Sequence, residues 1–222
     1  MNYDLQFFYV WQNLDKLGQG LLISLELTVL ANLIGLSLGF VIALMLRART
    51  VALRAPASAL VEVFRCTPVL IQVVWFFYCV PILFNLFVDP MVMGVLALGL
   101  NLAAFNAEGY RAAIQSVPRE QYDACSALGL SGWMRVRHVI LPHALRAALP
   151  VLMTNGITIF QQSALVALVA IPDLMYEGKM LATETYRPIE TYTVVALIYF
   201  AISAPISLIV QRIEARFDRV QA

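Results

Sequence analysis

Five stretches of the chain, at roughly 21–46, 68–84, 91–114, 141–168 and 192–209, are apolar and carry few charges. Crossing about 30 Å of hydrocarbon takes about 20 residues of helix. A lipid-exposed segment must also satisfy its own backbone groups, which a helix does. The stretches therefore read as transmembrane helices, with no room left for a sizeable aqueous domain. Composition agrees: 61% of the 222 residues are hydrophobic, 13% are charged, and the mean hydropathy is +0.78. A soluble domain has about 45–50% apolar and about 25% charged residues. These values exclude a soluble globule and a disordered chain. The expected fold class is an all-α integral membrane protein with about five transmembrane helices. The net charge of +1 gives no global field for nucleic acid.

The residues before the first run include Asp4, Asp15 and Lys16 rather than a basic cluster. The run also exceeds the roughly 7–15 apolar residues of a secretion signal. A retained helix is expected, with Glu26 as its only charge. Gly35 and Gly39 form a small-xxx-small pair, either a close helix crossing or simply tolerated glycines. Arg47, Arg49 and Arg54 close this span, and Pro56 opens a segment, 57–64, too short to cross. Pro81 is expected to kink or end the second span. Pro150 and Gly156 are expected to interrupt the fourth.

Five spans put the termini on opposite sides, and basic residues choose between them. With the N-terminus outside, the cytoplasmic segments hold 12 of the 15 basic residues: Arg47, Arg49, Arg54, Arg65, Arg111, Arg119, Arg135, Arg137, Arg146, Arg212, Arg216 and Arg219. The outer side holds Lys16, Lys179 and Arg187. The expected organisation is a single transmembrane domain over 1–222. Residues 1–18 and 169–191 lie outside, and 115–141 lies in the cytoplasm.

Signatures of enzyme chemistry are missing. The only Gly-Lys pair, Gly178-Lys179, lacks the flanking glycine and hydroxyl of a phosphate-binding loop. Cys66, Cys79 and Cys125 lack metal-ligand spacing and read as small apolar fillers. His138 and His143 read as surface residues. No catalytic residue and no metal ligand is assigned, and the chain is not expected to be an enzyme.

The polar segment between the third and fourth spans has helix punctuation. Ser116 and Pro118 signal a helix start, and Gly129 a stop after a helix over 119–128. Ala124, Cys125, Ser126 and Ala127 give that helix a small-residue surface. Ser131 can cap a second helix running into Pro142. A docking platform and an ordinary amphipathic loop both fit this pattern.

Asp123-Ala124-Cys125, three residues, Gly129, nine residues, then Val139-x-Leu141-Pro142 resembles the EAA motif of bacterial ABC importer permeases, E-A-A-x3-G-x9-I-x-L-P. Asp123, Cys125 and Val139 depart conservatively from it. The run from Phe64 through Arg65, Cys66, Thr67 and Pro68 to Gln72 resembles the F-R-G-T-P-x-x-x-Q stretch of polar amino acid permeases, with Cys66 replacing glycine. The stretches at 107–111 and 114–118 resemble that family's A-E-x-x-R and I-Q-S-V sequences. The resemblance covers the whole chain and is nearest the histidine, glutamate, glutamine and arginine group. It implies a type I ABC importer permease fold. It also implies a second permease subunit, identical or paralogous, and two cytoplasmic ATPases that bind ATP and Mg, with no cofactor in this chain. An extracytoplasmic amino acid-binding protein completes the implied partners. The coupling to the ATPases would fall on Asp123, Ala124, Cys125, Gly129, Leu141 and Pro142.

Charges within a bilayer are costly unless paired or hydrated. Glu62 with Arg65, and Glu108 with Arg111, are spaced i,i+3 and are expected as structural ion pairs. Arg65 is thereby assigned to Glu62 rather than to a substrate carboxylate. Asn155, Gln161, Gln162 and Ser163 cluster in an apolar span, and together with Thr67 they are the expected substrate path. Amides suit a zwitterion but also serve as interhelical glue. The leading reading is a transport subunit working by alternating access. The alternative is a proton-coupled secondary carrier using Glu26 or Glu108. A structural subunit without a pore gives no reason for the amide cluster.

Overall fold

The computed structural model describes residues 4–85 and 87–221, with side chains to residue 215. The side chains of Arg216 and Arg219, and residues 1–3 of the N-terminal segment, lie outside the described residues. Regular structure among the described residues is helical throughout: α1 (Phe8–Trp11), α2 (Leu14–Leu46), α3 (Val51–Cys66), α4 (Val69–Phe84), α5 (Pro90–Gln115), α6 (Arg119–Ala127), α7 (Gly132–Val169), α8 (Leu174–Thr185) and α9 (Pro188–Gln221). Helices α2, α5, α7 and α9 are each long and apolar enough to cross a bilayer. Taken as one broken span, α3 and α4 make the fifth, bent by 108°.

Helix α5 is the hub. Its most apolar window is 67% buried, against 28%, 28% and 22% for α2, α7 and α9. Small residues allow this, because the lipid supplies no hydrophobic drive between helices and close packing must do the work. A Cβ at Gly35 would overlap the Leu102 side chain, and one at Gly39 would lie 2.9 Å from Asn106 Cβ. The glycine pair is therefore a close crossing of α2 on α5. Leu27, Val73, Leu98, Leu102, Ile159 and Val166 form one apolar cluster around α5. Ile42, Ala57, Val61, Ala103 and Ala107 form a second further along it.

Three helix boundaries differ from expectation. Helix α2 starts at Leu14, well before the apolar run, because its first turns pack outside the spans: Leu17 is buried against Leu174 and Leu181 of α8. The segment around 57–64 is a 16-residue helix, α3, that joins the second span through a sharp turn. Thr67 and Pro68 are extended there (ψ 142° and 134°), as the residue before a proline prefers. Helix α7 is not interrupted at Pro150 or Gly156 and continues backward into the polar segment as far as Gly132. Bundle packing thus overrides the cost of one lost hydrogen bond at Pro150.

Two π turns, Trp75–Cys79 and Val136–Ile140, each end two residues before a proline, Pro81 and Pro142. A proline crowds the carbonyl four residues back, and a wider turn relieves that contact.

The end of the bundle that carries α8 is tied together over long sequence distances. Asp173 is fully buried and caps α8, accepting from Tyr176 N at 2.9 Å. Tyr199 of α9 donates to its other oxygen at 3.4 Å, and Leu174 N donates to the buried Ser24 hydroxyl of α2 at 3.1 Å. Burial pushes the Asp173 carboxyl up to about 6, outweighing the hydrogen bonds that favour its charge. Glu190, also fully buried, accepts from Gln6 N and pairs with Arg187 at 3.6 Å.

Candidate functional site

The break between α3 and α4 leaves backbone carbonyls without helical partners, and these must be satisfied inside the bundle. Gln72 does this. Its Nε2 donates to Phe64 O (2.8 Å), Thr67 O (3.0 Å) and Thr67 Oγ1 (2.7 Å). Asn101 of α5 donates to Gln72 Oε1 at 3.0 Å and fastens the clasp to the hub. Thr67 donates in turn to Val63 O at 2.7 Å.

Beside the clasp lies a half-open cavity of about 150 Å³ between α5 and α7, lined by Asn101, Leu102, Phe105, Asn155, Thr158, Ile159 and Gln162. Asn155 donates to Asn106 Oδ1 at 3.0 Å. Asn106 is fully buried, and its Nδ2 makes no hydrogen bond within the described residues; nor does the buried Oε1 of Gln162. Buried polar groups without partners are rare and costly, and of these two residues only Gln162 lines the cavity.

The expected path residues separate. Asn155 and Gln162 line the cavity. Thr67 belongs to the neighbouring clasp. Gln161 is exposed and outside the lining, and Ser163 is fully buried, its hydroxyl donating to Phe160 O at 2.8 Å. Sequence reasoning missed Asn101, Phe105 and Thr158 as lining and Gln72 as the clasp. Helical spacing carried a signal for most of these. Positions 155, 158, 159 and 162 share one face of α7, as 101 and 105 do on α5, whereas 161 does not.

The ionisable pairs also separate. Arg111 donates to Glu108 through Nε at 3.0 Å and through Nη2. Glu62 and Arg65 do not pair. Glu62 accepts from the Cys66 thiol at 3.5 Å, while the Arg65 guanidinium lies 5.7 Å from the Phe105 ring centroid. Arg65 sits in the last turn of α3, where the chain turns away and the face of α5 is within reach. A cation over a ring gains about as much as an exposed ion pair, so spacing alone could not decide between them. Glu26 is exposed and lies outside the cavity lining.

The second candidate region is the surface segment of α6 and the start of α7. Gly129 adopts φ +65°. Gly129 N donates to Ser126 O and Leu130 N to Cys125 O, the paired bonds of a glycine-terminated helix. Ser131 caps α7, accepting from Met134 N at 3.3 Å. Ser116 does not cap α6; its hydroxyl turns back to Ala113 O at 2.9 Å, and Pro118 takes the cap position. Cys125 is buried and leaves the small-residue surface to Asp123, Ala124, Ser126 and Ala127, all exposed. Around the bend, Leu128 (76%) and Trp133 (70%) stand open to solvent, and Leu141 of the motif is 39% exposed. Leu128 and Trp133 are the most exposed large apolar side chains around this bend.

A helical bundle with four long apolar spans, a fifth broken one and a small cavity of mixed polar and apolar lining beside its hub helix defines a multi-pass membrane component. The chain belongs to the binding-protein-dependent transport system inner membrane component family, whose model matches residues 32–219. It is 32% identical over 221 residues to the glutamate/aspartate import permease protein GltK of Escherichia coli O6:H1, covering 96% of this chain and 99% of that one. It is 33% identical over 212 residues to the glutamine transport system permease protein GlnP of Escherichia coli K12, covering 93% and 95%. It is 32% identical over 206 residues to the arginine ABC transporter permease protein ArtQ of Haemophilus influenzae, covering 90% and 92%. Among solved structures, an amino acid ABC transporter crystallised with histidines matches with a TM-score of 0.90 at 32% identity, over 96% of this chain and all of that one. The MetNI methionine ABC transporter shares the fold, with a TM-score of 0.76 at 22% identity.

Proposed function

We propose that this chain is the permease subunit of an ATP-driven importer for a polar amino acid. The cavity carries the reading: amides and a hydroxyl converge between two spans of a chain whose relatives are named for glutamate/aspartate, glutamine and arginine transport. The platform would supply the coupling. Asp123, Ala124, Gly129, Leu141 and Pro142 would dock on a cytoplasmic ATPase that holds ATP and Mg, with the buried Cys125 supporting that face from within, two such ATPases serving a pair of permease subunits. Closure of the ATPases would draw the platforms together and open the path to an extracytoplasmic binding protein. Helix α7 joins platform to cavity without a break, so a rotation at one end is delivered to Asn155 and Gln162 at the other. In this reading the N-terminus lies outside and the C-terminus in the cytoplasm. Reporter fusions after Ala55 and Val220 then report cytoplasm, and one within 172–191 reports the outer side.

The test is uptake into proteoliposomes holding the permease with a partner ATPase and an amino acid-binding protein. Amino acid uptake that needs ATP and Mg is the expected result. Uptake by the permease alone, driven by a pH gradient, would instead establish a proton-coupled carrier. Gln162→Leu should lower uptake by about 10- to 150-fold if it removes a hydrogen bond to a charged head. Gln161→Leu distinguishes the cavity from a path along the exposed face of α7.

A further inference from the structure

We infer that Arg135 is the positioning residue that makes α6 and α7 turn as one piece, through a single brace onto Ser126 across the bend. The inference rests on the proposed coupling role of the platform and names the contact through which that coupling passes.

Helix α6 is held loosely by the rest of the molecule. It has no extended contact with another helix. The backbone bonds that close it end at Leu130, whose N–H donates to Cys125 O. Ser131 follows as the cap, and α7 begins at Gly132. A Cβ at Gly129 or at Gly132 would meet nothing within 4 Å, so the corner is open on both sides of the bend. Two glycines three positions apart, with nothing packed against them, leave a corner whose backbone can yield. A push on α6 would then fold the corner rather than turn α7.

One side-chain hydrogen bond crosses that corner among the described residues. Arg135 Nη2 donates to Ser126 Oγ at 3.1 Å. Ser126 accepts there while its own proton is committed elsewhere, Oγ donating to Tyr122 O at 2.9 Å. The hydroxyl is thereby fixed to the backbone one turn back, and Arg135 grips the helix rather than a free rotamer. Ser126 lies in the last turn of α6, so the guanidinium also meets the negative end of that helix dipole. Among the described residues no carboxylate lies within ion-pair distance of Arg135, and nothing draws it away from this contact.

A stabilising role does not account for the residue. Arg135 Nε is buried and makes no hydrogen bond among the described residues, and an unsatisfied buried donor costs stability. Methionine keeps an apolar stem and removes that donor. Arg135→Met is therefore expected to fold as well as the wild type while losing the brace, which separates positioning from folding.

The experiment uses the full importer in proteoliposomes, with a partner ATPase and an amino acid-binding protein, and reads ATP hydrolysed and amino acid taken up in the same sample. Arg135→Met should melt no lower than the wild type, co-purify with the ATPase and hydrolyse ATP. It should move about 10-fold less amino acid per ATP, the weight of one hydrogen bond to a charged group. Ser126→Ala should uncouple to the same extent, and the double variant should be no worse than either single one, because both remove one contact. Ser126→Thr keeps the hydroxyl and should couple as the wild type does. Wild-type uptake per ATP in Arg135→Met would overturn the inference, as would additive losses in the double variant. A folded Arg135→Met protein that no longer holds the ATPase would make Arg135 a docking group and overturn it too. Should Arg135→Met fail to fold, Ser126→Ala decides alone, and coupled uptake there removes the brace. A wild type without ATP-driven amino acid uptake would defeat the proposed function, whereas coupled uptake by the wild type and every variant would defeat only the brace.

Discussion

The end of the bundle that carries α8 joins residues from opposite ends of the chain; the end that carries α6 does not. At the first, Gln6 meets Glu190, Lys16 meets Glu184, Ser24 meets Leu174 and Tyr199 meets Asp173. At the second, among the described residues, the side-chain hydrogen bonds of α6 and the start of α7 stay local, the longest joining Arg135 to Ser126, and Leu128 and Trp133 are exposed. One end is finished by the chain itself. The other leaves Leu128 and Trp133 uncovered, as the proposed docking of an ATPase requires. A bundle that must move at one end while keeping its helices together benefits from such an asymmetry. Bonds of high sequence separation join α2, α8 and α9, whereas the side-chain bonds of α6 reach no farther along the chain than Arg135.

The comparison breaks most visibly at the platform. Gly129→Trp and Ala124→Arg should each leave the protein inserted and folded yet abolish co-purification of the ATPase and ATP-dependent uptake. The cost to the fold is small, about 1 kcal/mol for a side chain at positive φ, and a Cβ at Gly129 would meet nothing within 4 Å. Retained ATPase binding with wild-type uptake would show that this face docks nothing.

A smaller effect, of opposite kind, is expected at Asp173. Its carboxyl titrates at about 6 in the folded protein, against about 4 in an unfolded chain. The folded state thus holds the proton more tightly, so stability is fully present below about pH 4 and declines as pH rises through 6. The difference is worth roughly 3 kcal/mol. Thermal melting in detergent should show the wild type losing stability between pH 4 and 7. Asp173→Asn, which keeps a capping side chain, should flatten that dependence and melt higher at pH 8.

Ser24→Ala should cost about 1–3 kcal/mol, because the buried Leu174 N–H loses its acceptor. The Lys16–Glu184 bridge is exposed on both sides, and exposed pairs contribute little. Lys16→Ala should leave the melting temperature unchanged; a clear drop would mean the contacts at the α8 end act as a network.

Much of this was legible in the sequence, for reasons particular to each element. The spans were visible because bilayer thickness sets their length. The bend at Gly129 was visible because a left-handed residue after a helix is usually glycine. The broken second span was not, since Thr67-Pro68 signals an end but not a turn of 108°. Gln72 reads in sequence as one amide in an apolar run, and only the break gives it three acceptors. Arg65 was assigned to Glu62 because spacing reports opportunity within one helix and is blind to Phe105 on another. Gln161 was grouped with Gln162 because they are adjacent, although adjacent residues on a helix face different ways.

The π turn at Val136–Ile140 sets the phase of α7. A π turn accommodates an extra residue within an otherwise α-helical run, and one residue corresponds to about 100° of rotation about the axis. The wider turn takes up that residue without advancing the rotation, so the segment before it, including Trp133, and the segment after it, including Asn155 and Gln162, keep nearly the facing of an unbroken α-helix. Deleting a single residue within 136–140 would restore ordinary winding and leave both segments facing as they do, whereas a deletion in the α-helical stretch at 143–149 would turn one against the other by about 100°. One place in α7 can lose a residue without re-aiming either end.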